Sequence, residues 1–270
     1  MRRIFVPLHG PDDARSLLRL AGRLASPFGA QIEVAFIENI AANDEEPVAQ
    51  DAAGAQAIFQ EWSAALTAEQ SAVRAAWREI PDGAVYASAT LGRASDLIVT
   101  RALGRAVEEE RILHASRSER SFRDALLASG RLTLLAPRTE VDAAAMLEHV
   151  VVAWDGSAGA AHALGQSLAL LTRAQSVRVV IIGRNTVGID AREAIGSYVG
   201  LYNGSTHLVV QDNAHRQTGR ALLDAMRDEH TSLVVMGVSG RSHPAGAAGA
   251  LGGTILKVIE DNRIPILTAN

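Results

Sequence analysis

Apolar and polar positions follow one order along this chain, and the order comes twice. IFVPL (Ile4–Leu8) is a short apolar run. A helical period then takes over: Leu17, Leu20, Ala21 and Leu24 recur at i, i+3, i+4 and i+7, one buried helix face. A second apolar run closes the segment at Ile37. Val150–Gly183 repeats the whole order without a gap, 146 residues further on. Its helix face is Ala161, Leu164, Leu168 and Leu171. The halves also end alike, SGRLTLLAP (Ser129–Pro137) against DNRIPILTA (Asp261–Ala269). A repeat of this size predicts two similar domains, not a solenoid of short units.

The second half reads as strand 150–154, helix 158–172, strand 177–183, an irregular stretch 184–204, strand 205–211, helix 217–229, strand 232–237, a glycine-rich loop, helix 253–261 and strand 264–268. The first half follows the same plan, with one long Ala-rich helix over about residues 49–79 and a reduced helix before SDLIVT. Strands alternating with helices predict an α/β fold, a doubly wound and mainly parallel sheet in each half. Nearly all-apolar strands require helices on both faces of it. The domains are expected at 1–140 and 146–270, with Pro137–His149 as linker. The closing strands RLTLLA and RIPILT are apolar edges, so the halves are expected to pack as an intramolecular pseudo-dimer.

Composition narrows the function. The 270 residues are 48% apolar and 21% charged, near the globular average. A net charge of −4 argues against nucleic acid, and 4% aromatic residues argue against base-stacking platforms. There is no cysteine, which excludes disulfides and thiolate metal sites and fits a cytoplasmic location. No apolar run approaches the ~20 residues of a membrane span. The histidines show no metal-ligand spacing, and no nucleophile elbow or triad is present, so no catalytic residue is assigned.

The candidate chemistry lies where strands end. In an open parallel sheet, ligands sit outside the carboxyl ends of strands where strand order reverses. VAWDGS places Asp155 and Gly156 after the first strand of the second half, and MGVSG places Gly237 and Gly240 after its fourth. A glycine loop running into a helix offers backbone N–H groups and a partial positive charge to phosphate. Asp155 suits ribose or adenine at the other end of a nucleotide. There is no Walker-type GxxxxGK[ST], and no GxGxxG follows the first strand. Plainer readings stand beside these: a loose loop, Ser157 as a helix N-cap, His162 as helix surface, Trp154 as core packing.

WDGS before an Ala-rich helix, LVVMG, GVSG, LGGT and the closing RIPILTA resemble a tandem universal stress protein. The resemblance covers both halves and is strong only in the second. It implies five-stranded sheets of order 3-2-1-4-5, a cytoplasmic stress-response role, a homodimer, and binding of ATP or another adenine nucleotide, with Mg. The implied binding residues are Trp154, Asp155 and Gly156 near the adenosine. Ile182 and Gly183 would reach adenine through backbone groups, and Gly237, Gly240, Gly252, Gly253 and Thr254 would line ribose and phosphates, with Arg241 reaching a phosphate. The family motif is G-x2-G-x9-G-[ST], and here eleven residues, Arg241–Leu251, separate Gly240 from Gly252. A scaffold of the same fold that binds no nucleotide is the alternative, and an ATP-using enzyme a third. In the first half His9 stands for the aspartate and Arg101 for Gly237, so no nucleotide site is expected there.

Overall fold

The computed structural model describes residues 1–37, 45–69, 71–80, 87–102, 124–137, 139–182, 189–211, 224, 231–238, 258 and 263–270. The chain divides into two compact units, Met1–Ala136 and Pro137–Asn270.

In the first unit the strands are β1 (Arg3–Leu8), β2 (Gln31–Phe36), β3 (Arg74–Arg78), β4 (Leu97–Arg101) and β5 (Leu132–Ala136). They lie in the order β3-β2-β1-β4-β5 and every pair is parallel. The helices are α1 (Pro11–Ala25), α2 (Glu45–Ala68) and α3 (Ala87–Arg93). Leu17, Leu20, Ala21 and Leu24 of α1 are all buried, the face that the period predicted. The aspartate before β4 ties two strands together: Asp96 Oδ2 accepts the backbone N–H groups of Arg2 (2.5 Å) and Arg3 (3.0 Å) at the start of β1. Partial burial pushes the Asp96 carboxyl up; those two N–H groups, the N-terminal charge and Arg131 outweigh it, and its pKa is lowered. Glu33 on β2 is buried between Arg78 and Arg3, so this buried carboxylate is paired on both sides.

In the second unit the strands are β6 (His149–Trp154), β7 (Ser176–Ile182), β8 (Thr206–Gln211), β9 (Leu233–Gly237) and β10 (Ile266–Ala269). Their order is β8-β7-β6-β9-β10, again all parallel. The helices are α4 (Ala158–Leu171) and α5 (Ile189–Gly200). Both sheets therefore have the first strand at the centre and the order reversing between the first and fourth strands.

Four sequence expectations need correction or bounds. The long helix expected over 49–79 ends at Ala68, and Arg74–Arg78 is a strand. Alanines carry helix propensity wherever they stand, and only pairing with β2 makes RAAWR extended. The stretch expected to be irregular holds α5, whose buried residues Ile195 and Val199 stand one turn apart between glycines that break the pattern. The expected linker is docked: Met146 and Leu147 are buried, and Gln175 N–H donates to the Leu147 carbonyl (2.8 Å). The expected helices 217–229 and 253–261 lie outside the described residues, apart from Asp224 and Val258, both helical.

Candidate functional site

β6 and β9 pair side by side, Val152 opposite Val235, so the turn after one strand and the end of the other share the edge where strand order reverses. The turn after β6 is built by its own side chains. Gly156 has φ 76°, the left-handed region that a side chain disfavours. Asp155 Oδ1 accepts the Ser157 N–H (2.9 Å), and Ser157 Oγ accepts the Ala160 N–H (3.1 Å) as the N-cap of α4. Asp155 is exposed, and its second oxygen has no partner among the described residues. Trp154 is half-buried at the end of β6.

Gly237 has a packing role that its motif position did not reveal. A side-chain Cβ on it would stand 2.2 Å from both Ala160 N and Gly159 C, and 2.6 Å from the Gly159 carbonyl oxygen. The first turn of α4 thus lies directly on this glycine. The buried face of α4 is Ala160, Ala163, Leu164, Ser167, Leu170 and Leu171, which holds Leu164 and Leu171 of the expected stripe but neither Ala161 nor Leu168. Ala161 is exposed and Leu168 half-buried. The close approach to Gly237 sets Gly159 and Ala160 against the sheet at the first turn, which a hydropathy pattern does not show. The sheet ladder runs one residue past β9, where buried Val238 donates its N–H to the Ala269 carbonyl (3.1 Å). Ile182 is the last residue of β7. Gly183, Gly240, Arg241, Gly252, Gly253 and Thr254 lie outside the described residues. The structure therefore brings Asp155, Gly156 and Gly237 to one edge and is silent on the rest of the loop.

His162 sits on the exposed side of α4, its Nδ1 2.7 Å from the Asn270 carbonyl oxygen and its Nε2 2.5 Å from the Gln166 amide. Among the described residues no three His, Asp or Glu side chains are grouped as a metal site. No described helix is long and apolar enough to cross a membrane.

The matching edge of the first unit is filled differently. Arg101, at the end of β4 where Gly237 ends β9, is a side chain only 11% exposed. It donates to Asp13 Oδ1 (Nε, 2.8 Å) and to Ser16 Oγ (2.8 Å), both on α1. His9, the counterpart of Asp155, follows directly after β1. A carbonyl can only accept, so His9 Nδ1 carries the proton it gives the Ile37 carbonyl (3.1 Å). Nε2 is then buried with no partner among the described residues. Burial lowers the His9 pKa, against the opposing pull of that carbonyl and of Asp13. Neither residue was singled out by the sequence beyond its departure from the motif. The signal available was the position alone, a histidine and an arginine at two carboxyl strand ends.

No protein-family model and no curated protein matches the chain. Solved structures do. A universal stress protein from Archaeoglobus fulgidus DSM 4304 superposes with TM-score 0.73 at 16% identity, covering 99% of this chain and 96% of that one. A functionally unknown protein from Pseudomonas aeruginosa PAO1 gives TM-score 0.60 at 14% identity, covering 99% and 92%. The cytoplasmic domain of a prokaryotic cation chloride cotransporter gives 0.56 at 10% identity, covering 99% and 95%. Along essentially its whole length, this chain has the α/β fold that universal stress proteins share with at least one transporter domain.

Proposed function

We propose that this is a universal stress protein that binds an adenine nucleotide through its second unit, at the edge shared by β6 and β9. One observation carries the reading. The acidic turn Asp155-Gly156-Ser157 and the start of the glycine-rich loop stand at the carboxyl ends of two strands that are hydrogen-bonded neighbours at the point where strand order reverses. That is where ligands bind in open parallel sheets. In this reading Asp155 accepts from the nucleoside through its free oxygen. Gly240, Arg241, Gly252, Gly253 and Thr254 cradle the phosphates, with Mg on the phosphate oxygens. Trp154, Gly156, Ile182 and Gly183 line the adenosine side. The first unit, with Arg101 and His9 at the matching edge, binds no nucleotide.

Calorimetry of the full chain with ATP, ADP and AMP tests this. Saturable binding supports it; silence from all three at millimolar concentration overturns it. One observation favours the second reading, a scaffold without nucleotide: the packing of α4 on Gly237 accounts for that glycine with no ligand at all.

A further inference from the structure

All five exposed large apolar side chains among the described residues fall in one stretch of twelve: Tyr198, Leu201, Tyr202, Leu208 and Val209. Leu201 is 83% exposed, Leu208 40% and Val209 36%. Tyr198 on α5 and Tyr202 in the turn after it stand edge to face, ring centroids 5.5 Å apart, and α5 approaches β8 where Gly196 meets Leu208. Four of them therefore join the end of α5 to the edge strand on one face of the sheet, while Val209, next to Leu208 on β8, points to the other face. The four on the helix side present on the order of 400 Å² of side chain, within the range of the largest patches on monomers, which are often functional.

The strand itself is an unguarded edge. β8 is the last strand of its sheet and reads THLVVQ, with no Lys, Arg, Asp or Glu. β3, the outermost strand of the first unit beside β2, reads RAAWR and would bring Arg against Arg if two copies met. Charge is the usual guard on an edge. It is present on β3 and missing on β8.

The hydrogen bonds show which groups of β8 are free. Val177 N–H donates to the Ser205 carbonyl (3.1 Å), so the odd residues 205, 207, 209 and 211 turn their backbone groups toward β7. In a parallel ladder the alternate residues face away. Thr206, Leu208 and Val210 thus present their N–H and C=O groups outward. A two-fold axis perpendicular to the sheet keeps each face on its own side, so residues brought opposite must have the same parity. Two central registers follow. An axis at Leu208 puts His207 against Val209 and Thr206 against Val210, polar on apolar. An axis at Val209 puts Leu208 against Val210, Val209 against itself and His207 against Gln211, like on like. In that second register Leu208 and Val210 exchange the hydrogen bonds that the free groups require, and Val209 forms the close, non-hydrogen-bonded pair.

We infer that a second copy of this chain covers this edge, with β8 pairing antiparallel to β8 about Val209. The paired edges and the side chains beside them bury less than about 1,200 Å² in all, the low end of specific interfaces, so association is expected in the micromolar range. This inference is independent of nucleotide binding.

Sedimentation of the full chain tests it. The wild type is expected to be dimeric at about 100 μM, and Val209→Lys, which sets two ammonium groups opposite each other on an already exposed position, to be monomeric. The chain has no cysteine, so single cysteines report the register without background. Val209→Cys is expected to form an intermolecular disulfide under mild oxidation. Thr206→Cys is not, because its copy lies roughly 20 Å away along the strand. A monomeric wild type, a dimer that survives Val209→Lys, or Thr206→Cys cross-linking as readily as Val209→Cys overturns the inference.

Discussion

Gly237→Ala separates a packing glycine from a ligand-binding one. The added methyl carbon would stand 2.2 Å from Ala160 N and Gly159 C. Both are main-chain atoms at the start of α4, so no rotamer change relieves the clash. Helix α4 must move off β9 by more than an ångström, or β9 must bend. Overpacking in well-packed regions costs about 1–3 kcal/mol when side chains can yield, and a helix backbone yields less readily. We expect about 3 kcal/mol or more of destabilisation. Gly92→Ala is the internal comparison. Its Cβ would also meet an atom at 2.5 Å, but that atom is Ile98 Cδ1, the far end of a flexible side chain, and position 92 is helical, where alanine gains back about 1 kcal/mol over glycine. Gly92→Ala should therefore fall within about 1 kcal/mol of wild type. Urea unfolding followed by circular dichroism, with a nucleotide titration at low denaturant, measures both. If Gly237→Ala unfolds within 0.5 kcal/mol of wild type, or costs no more than Gly92→Ala, the packing account of Gly237 is wrong.

Asp155→Asn keeps the acceptor for the Ser157 N–H and removes the charge; it is expected to leave the unfolding midpoint unchanged and to weaken nucleotide binding about tenfold or more, the loss of about 1.5–3 kcal/mol for a hydrogen bond to a charged group, read by calorimetry. His9 has a lowered folded pKa, so below the unfolded value near ~6.5 the unfolded chain takes up a proton that the folded chain refuses. Stability is expected to fall as pH drops from about 6.5, by up to about 1.4 kcal/mol per pH unit until the folded pKa is passed, and His9→Gln should flatten that limb of the urea midpoint against pH. Asp96 also has a lowered folded pKa, and for an acid its contribution is complete above the unfolded value near ~3.9 and lost as pH falls through the folded one. Asp96→Asn should thus be less stable than wild type at pH 7, with the difference shrinking as pH falls below about 3.9, and a constant difference down to acid pH would contradict the assignment.

The order of strands and helices was legible in the sequence wherever one physical demand dominated. Strands buried on both faces must be apolar throughout, so β1, β6 and β9 stood out as uninterrupted runs. Helix α1 must bury a wide face of large side chains, so its leucines betrayed its orientation. The repeat carried the same order to both halves. The turn after β6 was legible too, since Asp-Gly-Ser before an Ala-rich run is both a turn and an N-cap. What tertiary contact alone decided lies where two demands compete. RAAWR is extended only because β2 pairs with it. The first turn of helix α4 places Ala160 inward where it rests on Gly237, a fact set by the distance between two backbones and invisible to any hydropathy pattern. The neighbourhood of Asp155 and Gly237 likewise follows from β6 pairing with β9, residues far apart in the chain. The lowered pKa of His9 is also tertiary, since it comes from the burial of the ring and not from what adjoins it in the sequence.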